Sequence, residues 1–225
     1  MLVFCVPIFI IAILCGLLGF PKAIMWLALN VWSPFMLTIV GGRTELVNKE
    51  KLDKNKTYIY VANHASHFDI PAMFSAMRIP LFFIAKKELK KVPLFGYVCT
   101  LLGIIWLDRS NKMKAMESMR QAGVHIKKGK NVVTFPEGTR SKSGALGMFR
   151  KGTFSLALMG EIDVVPVAII GTRPLNPPGK FKFTGSRVKV VIGDVIPHSD
   201  FQDRSPEEFA DYAKEQVEKL TLENS

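Results

Sequence analysis

The chain has 225 residues, room for one globular domain plus an appendage. Its three cysteines, Cys5 and Cys15 in an apolar N-terminal run and Cys99 alone, exclude a disulfide framework or paired metal-ligand spacing, so a reducing compartment is expected. The formal charge of +11, from 30 Lys plus Arg against 19 Asp plus Glu, favours an anionic partner such as nucleic acid, a phosphate-bearing small molecule, an acidic protein or an anionic membrane.

Residues 1–42 open the chain as an apolar unit. "MLVFCVPIFIIAILCGLLGF" has no charged side chain, and Lys22 is the only one before Arg43. The start lacks basic residues and no small-residue pattern interrupts the run, which argues against a cleaved leader. A helix of about 20 residues can cross the hydrocarbon core. The second half, "AIMWLALNVWSPFMLTIV", is interrupted by Asn30 and Ser33-Pro34, and a residue before proline avoids helical geometry. Trp26 and Trp32 suit the headgroup region, and Pro21-Lys22 supplies a turn. These features predict a membrane anchor of two short helices held in one leaflet, with a two-span hairpin as the alternative. Lys22 must snorkel, because a charge at mid-depth costs about 2.5–3.5 kcal/mol. Arg43, Lys49, Lys51, Lys54 and Lys56 follow and place the domain over 43–225 on the cytoplasmic side.

Beyond residue 42 short apolar runs alternate with helical patterns, without repeats or low-complexity tracts. "TYIYVAN", "PLFFIAK", "GIIWLD", "NVVTFP", "DVVPVAII" and "RVKVVIG" are the predicted strands, most too continuously apolar for a sheet with one wet face. Helices are predicted over 69–78, 93–102 and 111–127, the last closed by Gly129. "SPEEFADYAKEQVEKL" opens with a capping box, Ser205 to Glu208, and carries Pro206 at the first helical position. The alternation predicts a layered α/β domain with a largely parallel central sheet covered on both faces. Chemistry is then expected at the C-terminal ends of strands.

Three strand ends carry reactive side chains: "YIYVAN" runs into His64, "GIIWLD" into Arg109, and "NVVTFP" into "EGTRS". His64 and Asp69, at i and i+5, lie about 140° apart on a regular helix. They meet only if His64 sits in the turn before a helix and Asp69 in its first turns. Asp69 would then hold one ring nitrogen and leave the other as a base; a structural histidine in an Asx-rich turn is the competing reading. A metal site of His64, His67 and Asp69 lacks a further ligand, since His125 and His198 stand in unrelated contexts, and no metal is expected.

The chain has no G-x-S-x-G elbow, no G-x-x-x-x-G-K-[ST] loop and no G-x-G-x-x-G fingerprint. A base without a protein nucleophile points to a hydroxyl or water brought in with the substrate. "FPEGTRS", residues 135–141, reads either as an ordinary turn or as an anion cradle. In the cradle, amides around Gly138 join the Arg140 fork, and Glu137 orients Arg140 or holds a substrate hydroxyl. Arg109 is either a second phosphate ligand or a partner of Asp108. Lys86 and Lys87 read first as a solvated basic face, with Lys86 kept as an anion-binding candidate.

Four ordered blocks, "NHASHFD", "GIIWLDR", "FPEGTRS" and "VVPVAI", make the sequence resemble the 1-acylglycerol-3-phosphate acyltransferase (lysophosphatidic acid acyltransferase) family. "FIAKKEL" and "FRKGTF" match habitual flanking segments, and the similarity covers roughly residues 43–195. Trp106, in place of an aromatic such as Phe, is a mild departure. The resemblance implies an α/β acyltransferase domain, in some members preceded by a two-helix anchor. It implies His64 as general base and Asp69 as its orienting carboxylate. Arg109 would contact the acceptor's phosphate, and Glu137, Gly138, Thr139 and Arg140 would form the acceptor pocket. Val165 and Pro166 would help shape the acyl or acceptor site.

The implied reaction moves an acyl group from acyl-carrier protein or acyl-coenzyme A to the sn-2 hydroxyl of lysophosphatidic acid, making phosphatidic acid directly. No cofactor is expected beyond that co-substrate. The expected partners are the phospholipid bilayer, lysophosphatidic acid and the thioester donor, with no nucleic acid. A related acyltransferase acting on glycerol-3-phosphate or another lysophospholipid shares the same blocks. A non-enzymatic binder of anionic lipid would explain the charge and the N-terminus, but not His64-Asp69 together with "FPEGTRS".

Overall fold

The structure, a computed structural model, describes residues 2–108, 110–141, 143–176 and 183–225. The N-terminal segment folds as a helical hairpin: α1 (Leu2–Leu17), then α2 (Pro21–Leu27) and α3 (Ser33–Thr38) joined by a widened π-helical turn over Ala28–Trp32. The interruption expected at Ser33-Pro34 is absent, because Ser33 stays helical at φ −68° and ψ −44°. The wider turn absorbs the proline, whose missing N–H falls at the start of α3. Asn30 and Ser33 spend their polar groups on their own helix, donating to the carbonyls of Trp26 and Leu29. Among the described residues no helix is long and apolar enough to cross a membrane, so the two-span alternative has nothing to carry it.

A seven-stranded sheet forms the centre, in the order β1-β7-β6-β2-β5-β3-β4. The strands are β1 (Gly42–Val47), β2 (Ile59–Ala62), β3 (Leu81–Lys86), β4 (Ile105–Leu107), β5 (Asn131–Thr134), β6 (Val164–Ile170) and β7 (Ser186–Ile192). Strands β2 to β6 run one way, while β7 pairs antiparallel to β6 and β1 runs parallel to β7. The largely parallel α/β sheet expected from the apolar runs is therefore present. Its register places Tyr60 beside Val133 and Val165, and β2 is the middle strand of the seven.

Because side chains alternate across a strand, each strand feeds two cores. Tyr60, Ala62, Val133, Val165 and Val167 face one of them, with α4 (Asp69–Met77) and α5 (Phe95–Leu101). Ile59, Val61, Val132 and Val164 face the other, with α6 (Lys112–Lys127), α7 (Gly152–Gly160) and α8 (Pro206–Asn224). Ser205 and Glu208 close the expected capping box on α8, and Gly129 takes the left-handed conformation after α6.

The hairpin is not a detached appendage. Phe9, Ala12, Ile24, Met36 and Leu37 are buried in the first core, and Trp32 meets Phe74 of α4 edge-on at 6.3 Å between ring centres. Trp32 thus turns inward, against the headgroup placement expected for it, whereas Trp26 is 58% exposed. Its outward neighbours, among them Ile10, Ile11, Leu14, Leu17, Leu18 and Phe20, are also exposed.

Two elements escape the apolar-run reading. Strand β1, "GRTELV", is an edge strand that opens on a polar run, Arg43 to Glu45, and ends on two apolar residues. Helix α7, "GTFSLALMG", is bounded by glycines and buries Thr153, Phe154, Leu156 and Ala157, so it offers no amphipathic stripe.

Candidate active site

Strand β2 ends at Ala62, and the next residue fixes where the chain leaves the sheet. The Asn63 side-chain amide donates to the Ile169 carbonyl at 2.9 Å and accepts from the Ile169 N–H at 2.7 Å. The side chain thereby continues the β2–β6 ladder while the backbone turns away. His64 follows in that turn. Its backbone N–H donates to Glu137 Oε1 at 2.7 Å, and its carbonyl accepts from the Ser141 N–H at 2.8 Å.

Asp69 is the first residue of α4 and is fully buried. Its Oδ2 accepts from the backbone N–H groups of Ala65 at 2.8 Å and Ser66 at 2.9 Å, and lies 2.7 Å from His64 Nδ1. Its Oδ1 accepts from the Thr172 hydroxyl at 2.5 Å. The amides and the hydroxyl are all donors, so the carboxylate is an acceptor throughout and His64 Nδ1 carries the hydrogen. Nε2 is left with its lone pair. The position at the helix start also suits a negative charge. The meeting of His64 and Asp69 across the turn is the geometry their spacing required.

The imidazole stacks on Phe135 at 4.2 Å between ring centres with 16° between planes, and the His64 side chain keeps 19% of its surface exposed. Its orientation is therefore fixed on one face by an aromatic ring and at one nitrogen by a buried acid. His67 sits close by. Burial, then the neighbouring Arg140 guanidinium and His64, hold its imidazole below the ordinary value, with Asp69 opposing them.

Glu137 departs from its expected role. Its two oxygens accept from the His64 N–H and from the Gly147 N–H at 2.9 Å. It ties the turn after β2 to the loop after β5 while lining the cleft. Gly138, at φ +73°, also departs: its N–H donates to the Phe135 carbonyl, so it closes a turn and does not open an anion cradle. Thr139 and Arg140 are exposed beyond it.

Lys86 is exposed at the end of β3, two strands from β2 and so roughly 10 Å across the sheet. Lys87 pairs with Asp108 at 2.9 Å. That bond, with Ser110's, holds the Asp108 carboxyl far below its ordinary range. Arg109 lies outside the described residues. Val165 and Pro166 are buried within β6 and face the cores, so they do not line the cleft. Among the described residues no cluster of metal-binding side chains forms, His64 and His67 included.

The cleft beside His64 measures about 200 Å³ and is lined by Asn63, His64, Ala65, Glu137, Ser141, Gly144, Ala145 and Leu146, with Glu218, Thr221 and Leu222 of α8 opposite. The contribution of α8 was not legible in any motif. Nor was that of Thr172, although one signal existed: Gly171, at φ +88°, stands directly after β6, and a Cβ there would meet the Arg187 carbonyl oxygen at 2.2 Å. A backbone forced into so close an approach marks a chain reversal that aims the next residue back at the sheet edge.

The Acyltransferase family model matches residues 43–170, which contain all four blocks. Similarity to the 1-acyl-sn-glycerol-3-phosphate acyltransferase of Saccharomyces cerevisiae reaches 34% identity over 211 residues, 92% of this chain and 69% of that protein. This chain belongs to the 1-acyl-sn-glycerol-3-phosphate acyltransferase family. A chloroplastic family member from Arabidopsis thaliana is 32% identical over 170 residues, of which this chain spans 46% of the length. The crystal structure of the 1-acyl-sn-glycerophosphate (LPA) acyltransferase PlsC from Thermotoga maritima superposes with a TM-score of 0.73 at 30% identity, covering 91% of this chain and 79% of that one. The mostly parallel α/β fold is thus shared with that structure, and two of the blocks, "NHASHFD" and "FPEGTRS", meet at the C-terminal ends of β2 and β5.

Proposed function

We propose that the protein transfers an acyl group from an acyl thioester to the sn-2 hydroxyl of 1-acyl-glycerol-3-phosphate, yielding phosphatidic acid. The observation that carries this reading is the buried Asp69 carboxylate at 2.7 Å from His64 Nδ1, with its remaining acceptor positions occupied. That arrangement fixes the imidazole by Nδ1 and leaves Nε2 as the nitrogen that can accept a proton.

His64 Nε2 takes the hydroxyl proton as the oxygen attacks the thioester carbonyl carbon. The tetrahedral centre collapses, the carbon–sulfur bond breaks, and the thiolate takes the proton back from the imidazolium. The acyl ester and the free thiol are the products, the imidazole is regenerated, and no acyl-enzyme forms. General-base assistance of this kind is worth about 10²–10⁴-fold. The remainder comes from holding two substrates together, for which the exposed Arg140 and Lys86, together with Arg109, are the phosphate-binding candidates. The donor is acyl-carrier protein or acyl-coenzyme A, both anionic and both suited to a chain of charge +11.

The acceptor is amphiphilic, and the exposed apolar face of the hairpin suits residence in one leaflet of the cytoplasmic membrane. Helix α1 has 16 residues, about 24 Å at 1.5 Å per residue, which is short of the hydrocarbon core of about 30 Å. Lys22, exposed beside the turn between the helices, reaches the headgroups by its own stem.

The test is acyl transfer in detergent micelles with wild type and His64→Ala, offering lysophosphatidic acid, glycerol-3-phosphate and lysophosphatidylcholine in competition. Thiol release that depends on lysophosphatidic acid and disappears in the folded variant supports the reading. Full activity in that variant overturns the mechanism, and preference for another acceptor overturns the substrate.

A further inference from the structure

Outside the site, the least ordinary backbone among the described residues lies at Leu94. It has φ +59° and ψ −54°, and the Phe95 N–H donates to the Pro93 carbonyl at 2.6 Å, closing a tight three-residue turn. A bulky side chain at positive φ is strained, and this turn type is rare outside glycine. Strain held in a fold needs a reason, and the position gives one: the turn lifts the Leu94 side chain into solvent, 42% exposed.

Leu94 is not alone. Leu89, Val92 and Tyr97 are exposed around it, at 42%, 37% and 48%. Between them stand the exposed Lys90 and Lys91, and Glu88 is the one acid in "KKELKKVPLFGY". The segment is rigidly seated. A Cβ on Gly96 would lie 2.0 Å from the Lys90 carbonyl oxygen, so the short 3₁₀ turn Lys87–Lys91 presses directly on α5.

The same segment is joined to the hairpin. Phe95 meets Phe9 of α1 with ring centres 6.4 Å apart, and a Cβ on Gly16 would lie 2.8 Å from Leu101 of α5. Through these contacts the inward side of α1 packs on α5 and its leading turn, so the hairpin and the 89–97 segment are held together.

We infer that residues 89–97 form a second membrane-docking element, which seats Leu89, Val92, Leu94 and Tyr97 among the acyl chains of an anionic phospholipid surface while Lys90 and Lys91 meet its headgroups. The inference rests on the reading of the hairpin as a one-leaflet anchor, which it extends from one contact to two. Two contacts fix an orientation where one helix pair fixes only attachment. The basic character selects anionic over neutral lipid, at roughly five-fold per lysine near the surface.

The test is flotation of the full chain with vesicles of phosphatidylcholine alone or with phosphatidylglycerol, comparing three variants matched to wild type by circular dichroism. Leu89→Ser/Leu94→Ser/Tyr97→Ser is expected to lower partition into anionic vesicles by about ten-fold or more, given three exposed apolar side chains. Lys90→Gln/Lys91→Gln, which leaves the apolar side chains in place, is expected to lower it on anionic vesicles and leave neutral vesicles unchanged. Ile10→Ser/Leu14→Ser/Trp26→Ser reports on the hairpin separately. Wild type that fails to float overturns the anchor reading itself. Wild type that floats, with the 89/94/97 and 90/91 variants floating equally well, overturns only the second element. A 89/94/97 variant that floats normally but loses activity with acyl-carrier protein, while keeping it with acyl-coenzyme A, assigns the face to an acidic protein and likewise overturns the proposal.

Discussion

The His64 turn and the outer face of the hairpin are built on opposite principles. At the turn, polar atoms are held one by one: Asp69 alone gathers three donors besides His64, and Glu137 joins the His64 amide after β2 to the Gly147 amide in the loop that follows β5. On the hairpin, polar groups are satisfied within their own helix and the outward side chains are interchangeable hydrocarbon. The first region is specified residue by residue, the second by summed area. One atom changed at the turn leaves a buried group unpaired, whereas one methyl changed on the hairpin subtracts only its own transfer energy.

The sharpest way to break this contrast is Asp69→Asn. The amide points an N–H at donors that need an acceptor and misorients the imidazole. We expect kcat to fall about 10³–10⁴-fold, and stability by about 3–5 kcal/mol, read by steady-state kinetics and urea unfolding. Glu137→Gln comes next, since one amide oxygen cannot serve both the His64 and Gly147 N–H groups. It should cost about 1–3 kcal/mol and lower kcat by about 10–100-fold with the acceptor KM unchanged. A raised KM with normal kcat would instead return Glu137 to the acceptor pocket. Thr172→Val removes the hydroxyl from Asp69 Oδ1 without altering shape, and about a ten-fold loss in kcat is expected, recovered in Thr172→Ser.

Crossing to the other region, Ile11→Ala should weaken vesicle partition by about five-fold and leave micellar kcat unchanged. A hundred-fold loss would show that the hairpin is as specific as the turn. The smallest effect concerns pH. His67 binds its proton less readily in the fold than unfolded, so its contribution is complete above about pH 6.5 and declines as pH falls below that. His67→Gln should therefore flatten the acid limb of the stability profile, measured by thermal melts between pH 5 and 7, values bracketing that ordinary histidine titration point.

What was legible in the sequence follows the same division. The strands of the parallel set announced themselves by continuous apolar runs, and the capping box of α8 by four residues of local chemistry. His64 and Asp69 were legible because their partnership is local, five residues apart. Thr172 and Ile169 complete the same site from 103 and 106 residues away, and no spacing rule reaches that far. Helix α7 hid because no charged residue marks its outward side, where Leu158 and Met159 stand, and β1 because its apolar residues are confined to its last two positions. Glu137 was found, but its bracing of two segments was not legible: only the fold shows its two oxygens holding backbone amides of two separate loops. The helix expected over 93–102 begins only at Phe95, since nothing in "KKVPLFG" declares a leucine at positive φ.

The Asn63 side chain, paired to Ile169 as though it were one more peptide of β2, has a consequence for how the protein matures. Thr172 stands three residues further along the same run as Ile169, so the base and the hydroxyl that braces its acid are both indexed to one alignment of β2 with β6. A slip by a single residue would send the Asn63 amide to the wrong face and carry Thr172 away from Asp69 together. Catalytic competence is thus a checksum on strand alignment. In a refolding experiment, activity should return only with the species whose central strands are in register, and a compact but misaligned chain should remain silent.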